Sequence, residues 1–139
     1  MVFFWGCFPD SDPNTAPMPH FYGVLTDLRL FGGSEEELAR ELIQLHQGGF
    51  AMVGSTQSTD GDFRGRISKD WDMFLIKLDN TGEVIWTKTY GGSGDDFGFS
   101  LVETPEGDFV LTGYSNSQDG DVPPTKGYHD NWIIKVDDS

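Results

Sequence analysis

Gly91–Val122 reads GGSGDDFGFSLVETPEGDFVLTGYSNSQDGDV, and a looser copy of the same text, FGGSEEELARELIQLHQGGFAMVGSTQSTDGD, runs from Phe31 to Asp62. A displacement of 59 lays Phe31–Asp62 on Tyr90–Asp121 with 11 of 32 positions identical. The matches are Gly32/Gly91, Gly33/Gly92, Ser34/Ser93, Leu42/Leu101, Gly48/Gly107, Phe50/Phe109, Gly54/Gly113, Ser58/Ser117 and Asp60-Gly61-Asp62/Asp119-Gly120-Asp121. One residue is then lost, and a displacement of 58 aligns Asp72–Thr81 with Asp130–Ser139, keeping Asp72/Asp130, Ile76/Ile134, Lys77/Lys135 and Asp79/Asp137. Glycines and aspartates held in step over this distance make the chain a repeat protein. The first repeat spans about 31–89 and the second about 90–139.

Each repeat reads as strands. DFVLTGYS (Asp108–Ser115) follows the turn Pro105-Glu106-Gly107, and EVIWTKTYGG (Glu83–Gly92) follows Asp79-Asn80-Thr81-Gly82, whose Asn and Gly suit a hairpin. Phe97, Phe99 and Leu101 alternate with Gly98, Ser100 and Val102, the period of a strand. Strands are expected at 38–46, 49–56, 71–79 and 83–90, then at 97–104, 108–115 and 131–137. Ser34–Leu45 disagrees: Ser34 and Glu37 have capping-box spacing, and Leu38, Leu42 and Leu45 share a helical face. Its counterpart in the second repeat carries two glycines and two phenylalanines, so equivalence favours a strand in both. Gly23–Phe31 lines up with Gly82–Tyr90, which makes it the candidate fourth strand of the second repeat. The expected fold is all-β, with two four-stranded antiparallel blades of β-propeller type, the N-terminal strand completing the last blade. A propeller takes at least four blades, roughly 240 residues at this repeat length.

The Gly-Gly-Ser, Gly-Asp-Phe, Ser-x-x-Asp-Gly-Asp and Trp-x-x-Lys-x-Asp elements, in this order over about residues 23–139, resemble the β-propeller repeats of secreted and surface proteins of Bacteroidota-type bacteria, often labelled bulb-type-lectin-like. The resemblance implies a non-enzymatic surface interaction or scaffold module and brings no catalytic residues with it. Members of that family usually hold more copies. The chain is therefore expected either to be part of a longer propeller or to close a ring as a homo-oligomer.

The chain has 139 residues, with 9 basic and 23 acidic side chains giving a net charge of −14. Such a surface repels phosphate, which argues against nucleic acid and against anionic membranes. Nineteen aromatic residues (11 Phe, 4 Trp, 4 Tyr) are enough to build a core, and 18 glycines point to many turns. One cysteine excludes an internal disulfide and a multi-cysteine metal site. Met1–Cys7, MVFFWGC, resembles the end of a bacterial lipoprotein signal peptide, with Cys7 as the lipidated residue. Phe4 and Trp5 depart from that pattern, and an incidental thiol on a frayed terminus is the competing reading. Residues 8–21 read as a linker and 22–139 as the two blades. The expected location is the cell surface or exterior, with membrane contact only through the lipid.

The acidic loops are the first candidate for chemistry. Asp60 and Asp62, with Asp119 and Asp121, offer carboxylates of the kind calcium takes, although Asp-Gly-Asp also builds turns unaided. An EF-hand is excluded because Thr56 and Ile67 occupy the first and twelfth positions. Gly91-Gly92-Ser93-Gly94 lacks the lysine of a phosphate loop and precedes Asp95-Asp96. His20, His46 and His129 have no metal-ligand spacing, and neither Gly-x-Ser-x-Gly nor His-Glu-x-x-His occurs. A carboxylate pair for glycoside hydrolysis is the enzymatic alternative, with no pair singled out. Trp86, Trp132, Phe74, Phe50 and Phe109 sit on strands and read as core. Trp71 and Tyr128 lie in the long loops beside Asp72 and Asp130, a combination suited to stacking and hydrogen bonding a sugar. These four are the ligand-site candidates of a lectin-like reading.

Overall fold

The computed structural model describes residues 23–124 and 126–138. The segments 1–7 and 8–21, and Cys7 with them, lie outside the described residues. Seven strands follow in order: β1 (Glu37–Gln44), β2 (Phe50–Thr56), β3 (Asp72–Leu78), β4 (Val84–Tyr90), β5 (Asp96–Glu103), β6 (Phe109–Ser115) and β7 (Asp130–Val136). The fold is all-β, built as two antiparallel sheets ordered β1-β2-β3-β4 and β5-β6-β7. A displacement of 59 carries β1 onto β5 and β2 onto β6 end to end, and 58 carries β3 onto β7. The irregularities repeat too, with a bulge between Ala39 and Glu41 and another between Gly98 and Ser100.

Ser34–Leu45 contains a strand, and the capping box does not form. The Glu37 carboxylate accepts instead from the Thr56 hydroxyl at 2.9 Å and the Gly33 amide at 3.4 Å, tying the start of β1 to the end of β2. Pairing along β2 outweighs the helical propensity of the Glu- and Leu-rich text. Leu42, on the supposed helical face, is 55% exposed.

The expected N-terminal strand is corrected. Residues 23–31 form no strand, and the second sheet has three strands among the described residues. Phe31 packs into the core of the first unit, and Arg29 pairs with Glu83 at 3.1 Å beside the β3–β4 turn. These contacts hold the segment against the first sheet, whereas β7, the edge it was expected to join, belongs to the other.

One core spans both sheets. Ala51, Val53, Met73 and Leu75 from the first meet Leu101, Phe109, Leu111, Trp132 and Val136 from the second. A smaller cluster on the opposite face of the first sheet holds Phe63, Phe74, Ile76 and Leu78, with Phe31, Phe50 and Met52 packed against it. Phe109, Phe74 and Trp132 are core as expected, while Phe50 and Trp86 are half-buried. β5 lies directly on the first sheet. A Cβ at Gly98 would sit 2.6 Å from Met73 and 2.9 Å from Val53, so only glycine permits this approach. Polar contacts fix its register: Gly98 N donates to Ser55 Oγ at 3.1 Å, and Glu41 accepts from Ser100 Oγ at 2.6 Å and Leu101 N at 2.7 Å. The same two donors hold the Glu41 carboxyl below its usual range. The bulge also corrects the alternation read for β5. Its extra residue turns Leu101 inward with Gly98, while Phe97 and Phe99 are left half-buried and exposed.

Candidate functional site

The acidic loops close a clasp that is built twice. Asp60 Oδ1 accepts from Ser34 N at 2.8 Å and Asp62 Oδ2 from Gly32 N at 2.9 Å. Asp119 Oδ1 accepts from Ser93 N at 2.7 Å and Asp121 Oδ2 from Gly91 N at 3.3 Å. Ser58 and Ser117 hydroxyls take the next amides, from Glu35 and Gly94, each at 2.9 Å. Gly61 and Gly120, at φ 59° and 71°, supply the left-handed turn that lets each loop reach back. All four carboxylates proposed for calcium thus spend an oxygen on a backbone amide. Among the described residues, no three His, Cys, Asp or Glu side chains are grouped to hold a metal ion. Asp60→Ala and Asp119→Ala are each expected to cost about 1 kcal/mol, the usual net worth of a single hydrogen bond, because both carboxylates are exposed. Urea denaturation of each variant, with and without calcium, checks this.

Asp72 and Asp130 hold equivalent places, yet the structure uses them differently. Asp72 is buried against Arg66, whose Nε donates to Asp72 Oδ2, whose Nη1 donates to Ser58 O at 3.0 Å, and whose Nη2 donates to Asp70 O. Burial pushes the Asp72 carboxyl up to about 6 against the pull of Arg66, with Asp96 and Asp121 adding to the rise. Asp130 instead accepts from the Lys126 and Gly127 amides and caps its own loop. A cavity of about 450 Å³ lies beside it, lined by Val122, Pro123, Pro124 and Trp132 among others. A more open cleft of about 540 Å³ separates the Arg66–Asp72 loop of the first unit from the Asp119–Asp121 clasp of the second.

The two loop aromatics are linked through residues that the sequence reading left out of the site. The Trp71 ring lies 5.3 Å from Phe97, Phe97 lies 5.1 Å from Tyr114, and Tyr114 lies 5.4 Å from Phe99 and 4.9 Å from His129. Tyr128 ends the row, 4.6 Å from His129. Trp71 is half-buried, Phe99 is 41% exposed and Tyr128 is 84% exposed. The row crosses the face of the second sheet that points away from the first. Phe97 and Tyr114 are directly paired across β5 and β6, so the register itself sets their stacking. Their signal was an aromatic at matching positions of neighbouring strands. Asp72 takes no part in this surface because its carboxylate is buried, and Asp130 lines the cavity beside Val122 and Trp132 and caps its own loop.

Fold and surface together define a repeat protein of two all-β units with one uncovered, aromatic-rich sheet face. No family model matches the chain, and no curated protein matches it.

Proposed function

We propose that the chain is a non-enzymatic interaction module made of β-propeller-type repeats, working as a scaffold at the cell surface or outside the cell. The aromatic row from Trp71 to Tyr128 carries this reading. It presents connected rings on a flat sheet face, and stable protein contacts are enriched in such residues. Four prominent aspartates, meanwhile, are engaged in holding turns closed. A glycan is the second reading, favoured by the exposed Tyr128 and Phe99 rings, which can stack on a pyranose.

The test is binding of the full chain to a glycan array, with reducing-end release measured on every glycan that binds. Binding without release, lowered at least tenfold by Phe99→Ala and Tyr128→Ala, supports the glycan reading. Release of reducing ends that is lost on replacing a single Asp overturns the non-enzymatic reading.

A further inference from the structure

We propose that the cavity beside β7 binds an arginine side chain of a partner protein, held as the first unit holds its own Arg66. This site stands apart from the aromatic row, and loss of one leaves the other standing.

The first unit fills the matching place from its own loop. Phe63 and Arg66 turn inward after β2, and both are buried. The Phe63 ring lies 5.1 Å from Phe74, and the Arg66 guanidinium donates to Asp72 and to the carbonyls of Ser58 and Asp70. Displacements of 59 and 58 carry Phe63 onto Val122, Phe74 onto Trp132, Ser58 onto Ser117 and Asp72 onto Asp130. Val122 is shorter than the phenylalanine it replaces, and the matching loop 122–130 contains no arginine. Val122, Trp132 and Asp130 are among the residues that line the cavity of about 450 Å³. The second unit thus keeps the walls of the arginine site and lacks the two side chains that occupy it in the first.

The walls also carry unmet polar demand. Trp132 is 8% exposed, and its indole N–H has no acceptor. A buried donor is costly to leave unpaired, so this one points to a group that enters the cavity from outside. Both loop amides that Asp130 accepts go to Oδ2, and a carboxylate has room for further donors. A peptide segment carrying arginine answers both needs. Its guanidinium donates to Asp130 as Arg66 does to Asp72, and a peptide carbonyl takes the indole proton. The aliphatic stem lies against Val122, Pro123 and Pro124. Lys126 is exposed at the rim and meets Asp130 through its backbone amide. The charge of −14 draws a basic partner toward the site.

The experiment is a heteronuclear NMR titration of the full chain with the peptide acetyl-Gly-Arg-Gly-amide. The readout is the indole N–H of Trp132, assigned by its loss in Trp132→Phe. A saturable shift is expected, and the same peptide with citrulline, equal in shape but uncharged, should bind about tenfold weaker. Asp130→Asn keeps an oxygen for the loop amides, removes the charge and should weaken binding about tenfold. Val122→Phe restores the ring that the first unit carries and should abolish binding while the chain stays folded. Lys126→Ala should bind the peptide at least as tightly as the parent. An unmoved indole signal, equal binding of the citrulline peptide, or unchanged affinity in both Asp130→Asn and Val122→Phe overturns the proposal. So does a loss of binding in Lys126→Ala, which would mark the ligand as an anion. Methylguanidine binding as tightly as the peptide would assign the cavity to a free cation and overturn the partner side chain.

Discussion

Arg66→Met is expected to cost the fold about 3–5 kcal/mol at pH 7, the usual penalty for removing one partner of a buried ion pair. The Arg66 and Asp72 side chains are 3% and 9% exposed. The guanidinium also satisfies the Ser58 and Asp70 carbonyls. Methionine fills much of the space and answers none of these acceptors. Asp72 is left without its counter-charge in a buried site with Asp96 and Asp121 nearby, so it must either stay ionised at a cost or take up a proton. The deficit should depend on pH with a definite sign. In the parent, the Asp72 carboxyl stands at about 6, above its ordinary 3.8, so the folded chain holds this proton more tightly than the unfolded chain. Its contribution to stability is fully present below the ordinary value and is lost as pH rises through about 6. Without Arg66 the carboxyl rises further, because both influences that lowered it are gone. The loss should therefore shrink between pH 7 and pH 5. Arg66→Met/Asp72→Asn should recover part of the stability at pH 7 and lose this pH dependence. Denaturant curves at the two pH values decide the matter; an Arg66→Met deficit equal at both would mean that Asp72 does not carry it.

That ion pair also shows where sequence reading stops. Asp72 and Asp130 are identical residues at matched positions, and nothing in the repeat separates them. The difference comes from Arg66, in the loop where the displacement drops from 59 to 58 and alignment loses its meaning. The strands were legible because glycines, aspartates and alternating apolar residues do fixed backbone work in both units. The clasps were half legible: Asp-Gly-Asp announced a turn, while the amides that its carboxylates accept from lie about 30 residues away. Phe97 and Phe99 were read correctly as strand residues, but their face was not, because the bulge at Gly98/Ser100 displaces the alternation by one. Gly23–Phe31 had the apolar phase of a strand. Pairing requires an open edge within reach, and Phe31 and Arg29 hold this segment beside the first sheet.

Phe109→Ala is expected to cost about 3–5 kcal/mol, and Phe50→Ala less than half as much, although the two occupy the same place in their repeats. Phe109 is 1% exposed, lies in the core shared by both sheets and meets the Trp86 ring edge-on at 6.0 Å. Its removal opens a cavity with rigid walls on both sides, contributed by two different sheets. Phe50 is half-buried at the margin of the smaller cluster, where water can occupy the space it leaves. Urea denaturation of dilute single chains measures both losses, and equal values would mean that the two faces are packed alike.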